Sequence, residues 1–205
     1  IAGREGCRRR LLDDATLRYL LDHLENIADP LTRGSAWVDL EENLLDGRVK
    51  SGELLDLIAR ALPRETDEQN AQRVLSYAVR AFWRLPAGQR AARSAGLEQF
   101  LRHGLDSAPT ASRKSAWFNA FREVALSSDA LAWLTRVWRR EEKVPGLPLA
   151  ETDEIELATN LAVRAAPDWQ QILATQRDRT QNPDRRARFE FVMPALSPTR
   201  PSRSE

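Results

Sequence analysis

The side chains that most often perform catalysis or bind metals are few and scattered in this chain. The sequence has two histidines, His23 and His103, and one cysteine, Cys7. Zinc-binding helices often place two imidazoles on one face with the pattern His-Glu-x-x-His, and neither histidine lies in that pattern. His23 falls on the polar side of an amphipathic stretch. His103 lies near a predicted helix end, where the helix dipole favours a cation. We therefore expect both histidines to be structural side chains.

No nucleophile lies in a recognisable catalytic turn. The chain has no Gly-x-Ser-x-Gly pattern and no glycine-rich phosphate loop, and a single cysteine allows neither an intramolecular disulfide nor a cysteine-based metal cluster. Paired carboxylates occur at 13–14, 41–42 and 141–142. We expect these pairs to lie on solvated helix faces or in first turns, where they complement the helix dipole. The sequence predicts no active site in this chain.

Composition indicates an ordinary water-soluble protein. The 205 residues are 42% hydrophobic and 30% charged, with a formal net charge of +1. This balance does not favour nucleic acid as a partner, because nucleic-acid binders usually carry a strongly basic domain. No stretch approaches the roughly 18 apolar residues that span a bilayer, and no signal peptide is recognisable. The compartment is unknown, with the cytoplasm favoured. The first residue, Ile1, suggests a fragment or a processed product.

Hydrophobic periodicity predicts helices along nearly the whole chain. Apolar residues recur at the i, i+3, i+4 and i+7 spacing of a helix face, as at positions 17–28, 54–62, 71–82, 131–138 and 155–162. No segment alternates apolar and polar residues as a half-buried strand does. The predicted fold class is therefore all-α, with about ten helices.

Helix boundaries are marked by capping residues, prolines and glycines. Asp29-Pro30 predicts a helix start and Asp46-Gly47 its end. Thr66 to Gln69 has the spacing of a capping box with Thr66 as the cap, and Pro109-Thr110 opens a further helix. Val144 to Leu149 is the clearest internal loop, because its two prolines and one glycine cannot continue a helix.

Regular helix–turn–helix punctuation favours an α-solenoid, a superhelix of antiparallel HEAT-like helix pairs, over a globin-like fold or a four-helix bundle. The sequence Glu-Thr-Asp-Glu occurs at 65–68 and again at 151–154, an offset of 86 residues or about two HEAT-like units. We expect a frayed segment at 1–13, a helical superhelix domain at 14–197, and a disordered polar tail at 198–205.

Six tryptophans stand at helical spacing among other apolar residues, and we expect most of them to pack between helices. They are Trp37, Trp83, Trp117, Trp133, Trp138 and Trp169.

The run from Asn182 to Ser197 is the most informative stretch. Asn182 is a suitable cap, Pro183 suits the first helical position, and Asp184 faces the positive end of the dipole. Arginines at 185, 186 and 188 form a basic face, and the apolar residues 189, 192 and 193 form the opposite one.

This run resembles part of the C-terminal helical domain of bacterial aminopeptidase N-type zinc peptidases. Five further segments are similar in the expected order, so that the resemblance covers residues 14 to 197. These segments are 29–37, 45–49, 81–84, 114–122 and 144–149.

The resemblance implies an enzyme whose catalytic apparatus lies outside this chain. Members of the family are zinc exopeptidases that remove N-terminal residues from peptides, with the zinc in a preceding thermolysin-like domain. The C-terminal domain forms a helical wall over the catalytic cleft and limits peptide entry. The partners implied are that catalytic domain and peptide substrates. Zinc is implied for the parent enzyme, and no cofactor for this chain.

If a peptide meets this domain, arginines are the expected contacts, because guanidinium binds carboxylates bidentately. The alternative for each is a surface or inter-helix salt bridge. The candidates are Arg33, Arg122, Arg185 and Arg186. A second function remains open, a free-standing α-solenoid scaffold that binds other proteins or peptides.

Overall fold

A computed structural model describes residues 12–196, and this part is helical throughout, with ten α-helices and no strand. The helices are α1 Asp14–His23, α2 Pro30–Leu45, α3 Ser51–Ala61, α4 Glu68–Arg84, α5 Ala87–Ser107, α6 Ala111–Val124, α7 Ser128–Trp138, α8 Glu151–Val163, α9 Trp169–Arg179 and α10 Pro183–Val192. Short 3₁₀ turns lie at Leu24–Asn26, Leu62–Arg64 and Met193–Leu196. The prediction of an all-α helical-repeat fold with about ten helices is confirmed. The predicted segments 1–13 and 198–205 fall almost entirely outside the described residues, as do Cys7 and the arginines at 8–10.

The described helices form two compact units, which divide between Arg90 and Ala91, inside α5. The predicted domain at 14–197 spans the boundary between them. Each unit is described by itself below.

Local capping signals fix most helix boundaries. Asp29 accepts the Thr32 N–H at 2.7 Å, and Asn182 accepts the Arg185 N–H at 3.0 Å, which satisfies otherwise unpaired amides at the starts of α2 and α10. Gly47 follows α2 with a φ of 78°, the left-handed conformation that favours glycine at a helix end. These predicted boundaries are confirmed, as is the loop between α7 and α8.

The predicted cap of α4 is wrong by one residue. Asp67, not Thr66, caps this helix, because its carboxylate accepts the Asn70 N–H at 2.8 Å. The second copy of the four-residue sequence lies differently, since Glu151 is already the first residue of α8. The offset of 86 residues therefore joins positions that are not equivalent.

A shorter repeat relates the helices of the first unit. The two caps Asp29 and Asp67 are 38 residues apart, and so are the 3₁₀ turns Leu24–Asn26 and Leu62–Arg64. Helices α1 and α2 thus form one helix pair, and α3 and α4 form the next. Three ion pairs join them: Arg33–Glu65, Arg60–Glu25 and Arg80–Glu41, at 2.6, 2.5 and 2.6 Å.

Aliphatic residues, with Trp37 and Phe82, fill the core of the first unit. Its most deeply buried side chains are Leu24, Trp37, Leu40, Leu54, Leu57, Ile58, Val74, Leu75 and Phe82. The apolar stripe predicted for α1 does not extend to Ala28, because this residue lies beyond the helix and is exposed. Trp83 was also expected to pack between helices, but it is 40% exposed. It lies on the outer side of α4, whereas the preceding residue, Phe82, faces the core.

Aromatic rings pack against one another in the core of the second unit. Trp133 meets the rings of Phe118 and Phe121 edge-on, with centroids 6.0 and 5.2 Å apart. Gly104 allows α5 to approach α6, since a Cβ at this position would lie 2.4 Å from the Trp117 ring. The expected packing role is confirmed for Trp37, Trp117, Trp133 and Trp138, all of which are buried.

Candidate functional site

Arg33, the first of the four candidate arginines, is held inside the first unit. Its Nε and Nη2 donate to the two carboxylate oxygens of Glu65 at 2.8 and 2.6 Å, and Nη1 donates to the carbonyl oxygens of Ile27 and Ala28. The two side chains are 11% and 2% exposed. Burial raises the pKa of Glu65, but hydrogen bonds from Arg33 and from the Asp67 N–H outweigh it and hold that pKa below its ordinary value. These contacts form the inter-helix salt bridge that was the alternative role.

Arg122 is also an internal side chain, on α6 of the second unit. The residue is 4% exposed, and its guanidinium donates to Glu156 and to the Asn119 side-chain oxygen. Its Nη1 has no hydrogen-bond partner among residues 12–196. The guanidinium is therefore buried and already paired, although the Glu156 side chain is 58% exposed.

Arg185 and Arg186 differ because both are exposed on α10. Arg185 donates to Glu151 at 3.2 Å, and Arg186 donates to Glu190 at 3.2 Å. Exposed ion pairs of this kind contribute only about 0–1 kcal/mol. Both guanidiniums can therefore exchange their present partner for a carboxylate of another molecule at little cost.

The side chains weighed for catalysis form no reactive cluster in the described part of the chain. His23 is exposed at the end of α1, and His103 is exposed on α5. Within residues 12–196 no group of three or more His, Cys, Asp or Glu side chains could hold a metal ion. Glu41 contradicts the expectation of a solvated carboxylate, because it is buried and accepts a hydrogen bond from Arg80 Nε at 2.6 Å.

A groove of about 510 Å³ lies in the second unit, where the loop after α7 folds back beside the start of α8. Ligand sites typically have volumes of about 300–1,000 Å³. Apolar side chains provide much of its surface: Val137, Val144, Leu147, Pro148 and Leu149. Arg140, Glu142, Lys143 and Glu154 supply the charged groups around it.

Two of the charged groups around the groove neutralise each other. Arg140 donates from Nε and Nη2 to the two carboxylate oxygens of Glu154, each at 2.9 Å. This hydrogen bonding raises the pKa of Arg140 above its ordinary value, so the guanidinium stays charged. The pair ties residue 140, just after α7, to the first turn of α8.

Glu142 holds the loop against α7. Its carboxylate accepts the Trp133 Nε1–H at 2.6 Å and the Arg136 Nε–H at 3.0 Å. Desolvation raises the pKa of Glu142, but these two hydrogen bonds outweigh it and keep the group ionised. Arg102 lies over the Trp133 ring, with its guanidinium carbon 3.7 Å from the ring centroid and its Nη2 4.0 Å from Glu142.

Backbone geometry gives the loop a defined shape. Arg140 has a φ of 64°, and the N–H groups of Arg140 and Glu141 donate to the carbonyls of Val137 and Arg136, which closes α7 as a Schellman motif. Gly146 has a φ of 74°, and a Cβ there would lie 3.2 Å from the Lys114 side chain. The groove is therefore preformed, and its floor is set by the fold.

Lys143 is the remaining charged side chain at the groove. It is exposed, and it forms no ion pair with any residue in the 12–196 range. The ten lining residues include no histidine, cysteine, serine or threonine, and the two carboxylates among them, Glu142 and Glu154, are held by hydrogen bonds. The sequence did contain a signal for this groove, namely three aliphatic residues inside a proline-containing loop, where a solvated loop would carry polar ones.

Comparisons with known proteins assign no family. No protein-family model and no curated protein matches this chain. In the described residues, no helix has both the length and the apolar character needed to cross a membrane.

Proposed function

We propose that this chain is a non-catalytic helical-repeat domain that binds peptide segments. The observation that carries this proposal is the preformed groove between α7 and α8, with its apolar floor and charged rim. Helical-repeat proteins use extended surfaces rather than single deep catalytic pockets. Both carboxylates of the lining, Glu142 and Glu154, are already engaged in hydrogen bonds with Trp133, Arg136 and Arg140, which supports a binding role for this site.

The specific form of the proposal is the lid domain of a zinc aminopeptidase. In this form the chain shapes the access of peptides to a catalytic site on a preceding domain, and zinc belongs to that domain. The resemblance of six ordered segments and the all-helical fold support it.

The coding sequence upstream of this chain tests the aminopeptidase form directly. It should encode a thermolysin-like domain with a His-Glu-x-x-His motif. An upstream region without this motif would refute the aminopeptidase form. The purified chain should also fail to hydrolyse a leucine–aminocoumarin reporter and should not retain zinc after dialysis. Hydrolysis by the pure chain would refute the non-catalytic role.

Arg185 and Arg186 provide the test within an intact parent enzyme. Because both are exposed on α10, the double variant Arg185→Ala/Arg186→Ala should raise the KM for long acidic peptides and leave the KM for dipeptides unchanged. The matched control is Arg18→Ala, an exposed arginine on α1 that pairs with Glu53. Arg33→Ala and Arg122→Ala would instead lower stability, because both arginine side chains are largely buried and each forms an ion pair.

The second candidate is a free-standing scaffold that binds other proteins or peptides. The helix pairs of the first unit, repeated at 38 residues and joined by ion pairs, are compatible with it. An open reading frame that starts close to Ile1, with no catalytic domain before it, would support the scaffold.

A further inference from the structure

We propose that the groove between α7 and α8 selects peptides that combine an apolar segment with an acidic group, and that Lys143 recognises the acid. This inference rests on the peptide-binding function proposed above and names the ligand class. The first and last residues that line the groove are Val137 and Glu154.

The apolar part of the ligand follows from the floor of the groove. Val137 and Val144 are buried beneath it, whereas Leu147, Pro148 and Leu149 keep exposed surface. Removing that surface from water is favourable in proportion to the apolar area covered, at roughly 25 cal/mol per Å². A ligand with aliphatic or aromatic side chains is therefore the complementary partner.

The acidic part of the ligand follows from the charged side chains at the rim of the groove and their partners. Glu154 is satisfied by Arg140 through two hydrogen bonds. Glu142 is satisfied by Trp133 and Arg136. A basic ligand would therefore find each rim carboxylate already paired. Lys143 alone at this rim has no counter-ion within the described residues, so an anion gains an interaction there that a cation does not.

The rigidity of the loop supports selectivity. Two contacts hold it: Arg140 to Glu154 and Glu142 to Trp133. Two prolines further restrict the backbone between 144 and 149. A preformed site loses less conformational entropy on binding than a mobile loop does.

The test uses two fluorescein-labelled pentapeptides, Leu-Val-Phe-Leu-Glu with an amidated C-terminus and the same peptide with Lys in place of Glu. Fluorescence anisotropy with the full chain measures both affinities. The acidic peptide should bind the natural chain about threefold to fivefold more tightly, as expected for an exposed charge pair. The variant Lys143→Glu should reverse this preference. Leu149→Ser, checked for helix content by circular dichroism, should weaken both peptides alike.

The charge-matched control is Arg188→Glu, which changes the net charge equally but lies on α10. If Lys143→Glu and Arg188→Glu shift the two affinities equally, the effect is long-range charge and the inference is refuted. If both peptides bind and no groove variant changes their affinity, peptide binding survives at another surface and only this inference fails. If neither peptide binds any form of the chain, the proposed peptide-binding function fails with it.

Discussion

Two glycines of the same helix should respond in opposite directions to the same substitution. Gly96 and Gly104 both lie inside α5. A Cβ at Gly96 would meet nothing within 4 Å, whereas a Cβ at Gly104 would lie 2.4, 2.4 and 2.6 Å from three carbons of the Trp117 ring. The ring is rigid and buried, so it cannot give way as the end of a flexible side chain would.

The magnitudes follow from two opposing effects. Glycine inside a helix is less favourable than alanine by about 0.8–1.0 kcal/mol, and Gly96→Ala should raise the free energy of unfolding by most of that amount. Gly104→Ala gains the same contribution but adds overpacking, which costs about 1–3 kcal/mol, and the very short contacts place it near the upper limit. We expect a net loss of about 1–2 kcal/mol at Gly104.

Urea unfolding followed by far-ultraviolet circular dichroism measures both variants against the natural chain. Near-ultraviolet circular dichroism should also change for Gly104→Ala, because the Trp117 ring must shift. Replacing the ring in the double variant Gly104→Ala/Trp117→Leu should reduce the cost of the alanine. If Gly104→Ala proves at least as stable as Gly96→Ala, the close approach of α5 and α6 is wrong.

Three further predictions concern backbone strain, a buried ion pair and the loop at the groove. Ala165 follows α8 with a φ of 52°, a conformation that favours glycine. The substitution Ala165→Gly should raise the free energy of unfolding by up to about 1 kcal/mol, measured by urea unfolding. Glu65→Gln should cost about 3 kcal/mol at neutral pH, because Arg33 is left buried without its counter-ion. The lowered pKa of Glu65 means that its contribution is present above about pH 4.3 and is lost as the pH falls through the folded-state pKa, so the variant should lose less stability in acid than the natural chain. Trp133→Phe removes a charge-assisted hydrogen bond to Glu142 and should speed tryptic cleavage of the loop at 139–150, measured by mass spectrometry.

Each of these has a matched control. Gly47→Ala reverses the Ala165 experiment at a φ of 78° and should destabilise. Glu190→Gln breaks an exposed pair and should change stability by less than about 0.5 kcal/mol. Trp169→Phe should leave the rate of loop cleavage unchanged. The prediction for Ala165 is contradicted if Ala165→Gly is no more stable than the natural chain. The prediction for Glu65 is contradicted if Glu65→Gln leaves stability unchanged, and the prediction for Trp133 if trypsin cuts the loop of Trp133→Phe at the natural rate.

The helices were predictable because their signals are local. Asp29-Pro30 and Asn182-Pro183 each combine a side-chain acceptor with a residue that starts a helix, and both predicted starts are present. The cap of α4 was missed by one residue because Thr66 and Asp67 are both suitable acceptors. The spacing alone cannot show which of these two residues lies directly before the first helical residue.

The candidate site was less predictable because it depends on contacts between distant residues. Glu41 lies in a Glu-Glu pair typical of a solvated face, yet Arg80, 39 residues later, covers it. Arg122 follows an aromatic run in the sequence, and only the packing of α6 and α8 shows that it is buried. The groove likewise needs Glu142 to reach Trp133, a contact that no pattern of residue types predicts.

The 38-residue spacing in the first unit restricts how this chain can change in length. Its cross-linking arginines and glutamates are 32, 35 and 39 residues apart, so every one of these bonds depends on the distance between consecutive helix pairs being conserved. Gain or loss of a single residue in a helix between them would rotate the following residues by about 100° and misalign the partners. Duplication of a whole pair would preserve the register, so we expect related chains to differ in length by complete helix pairs.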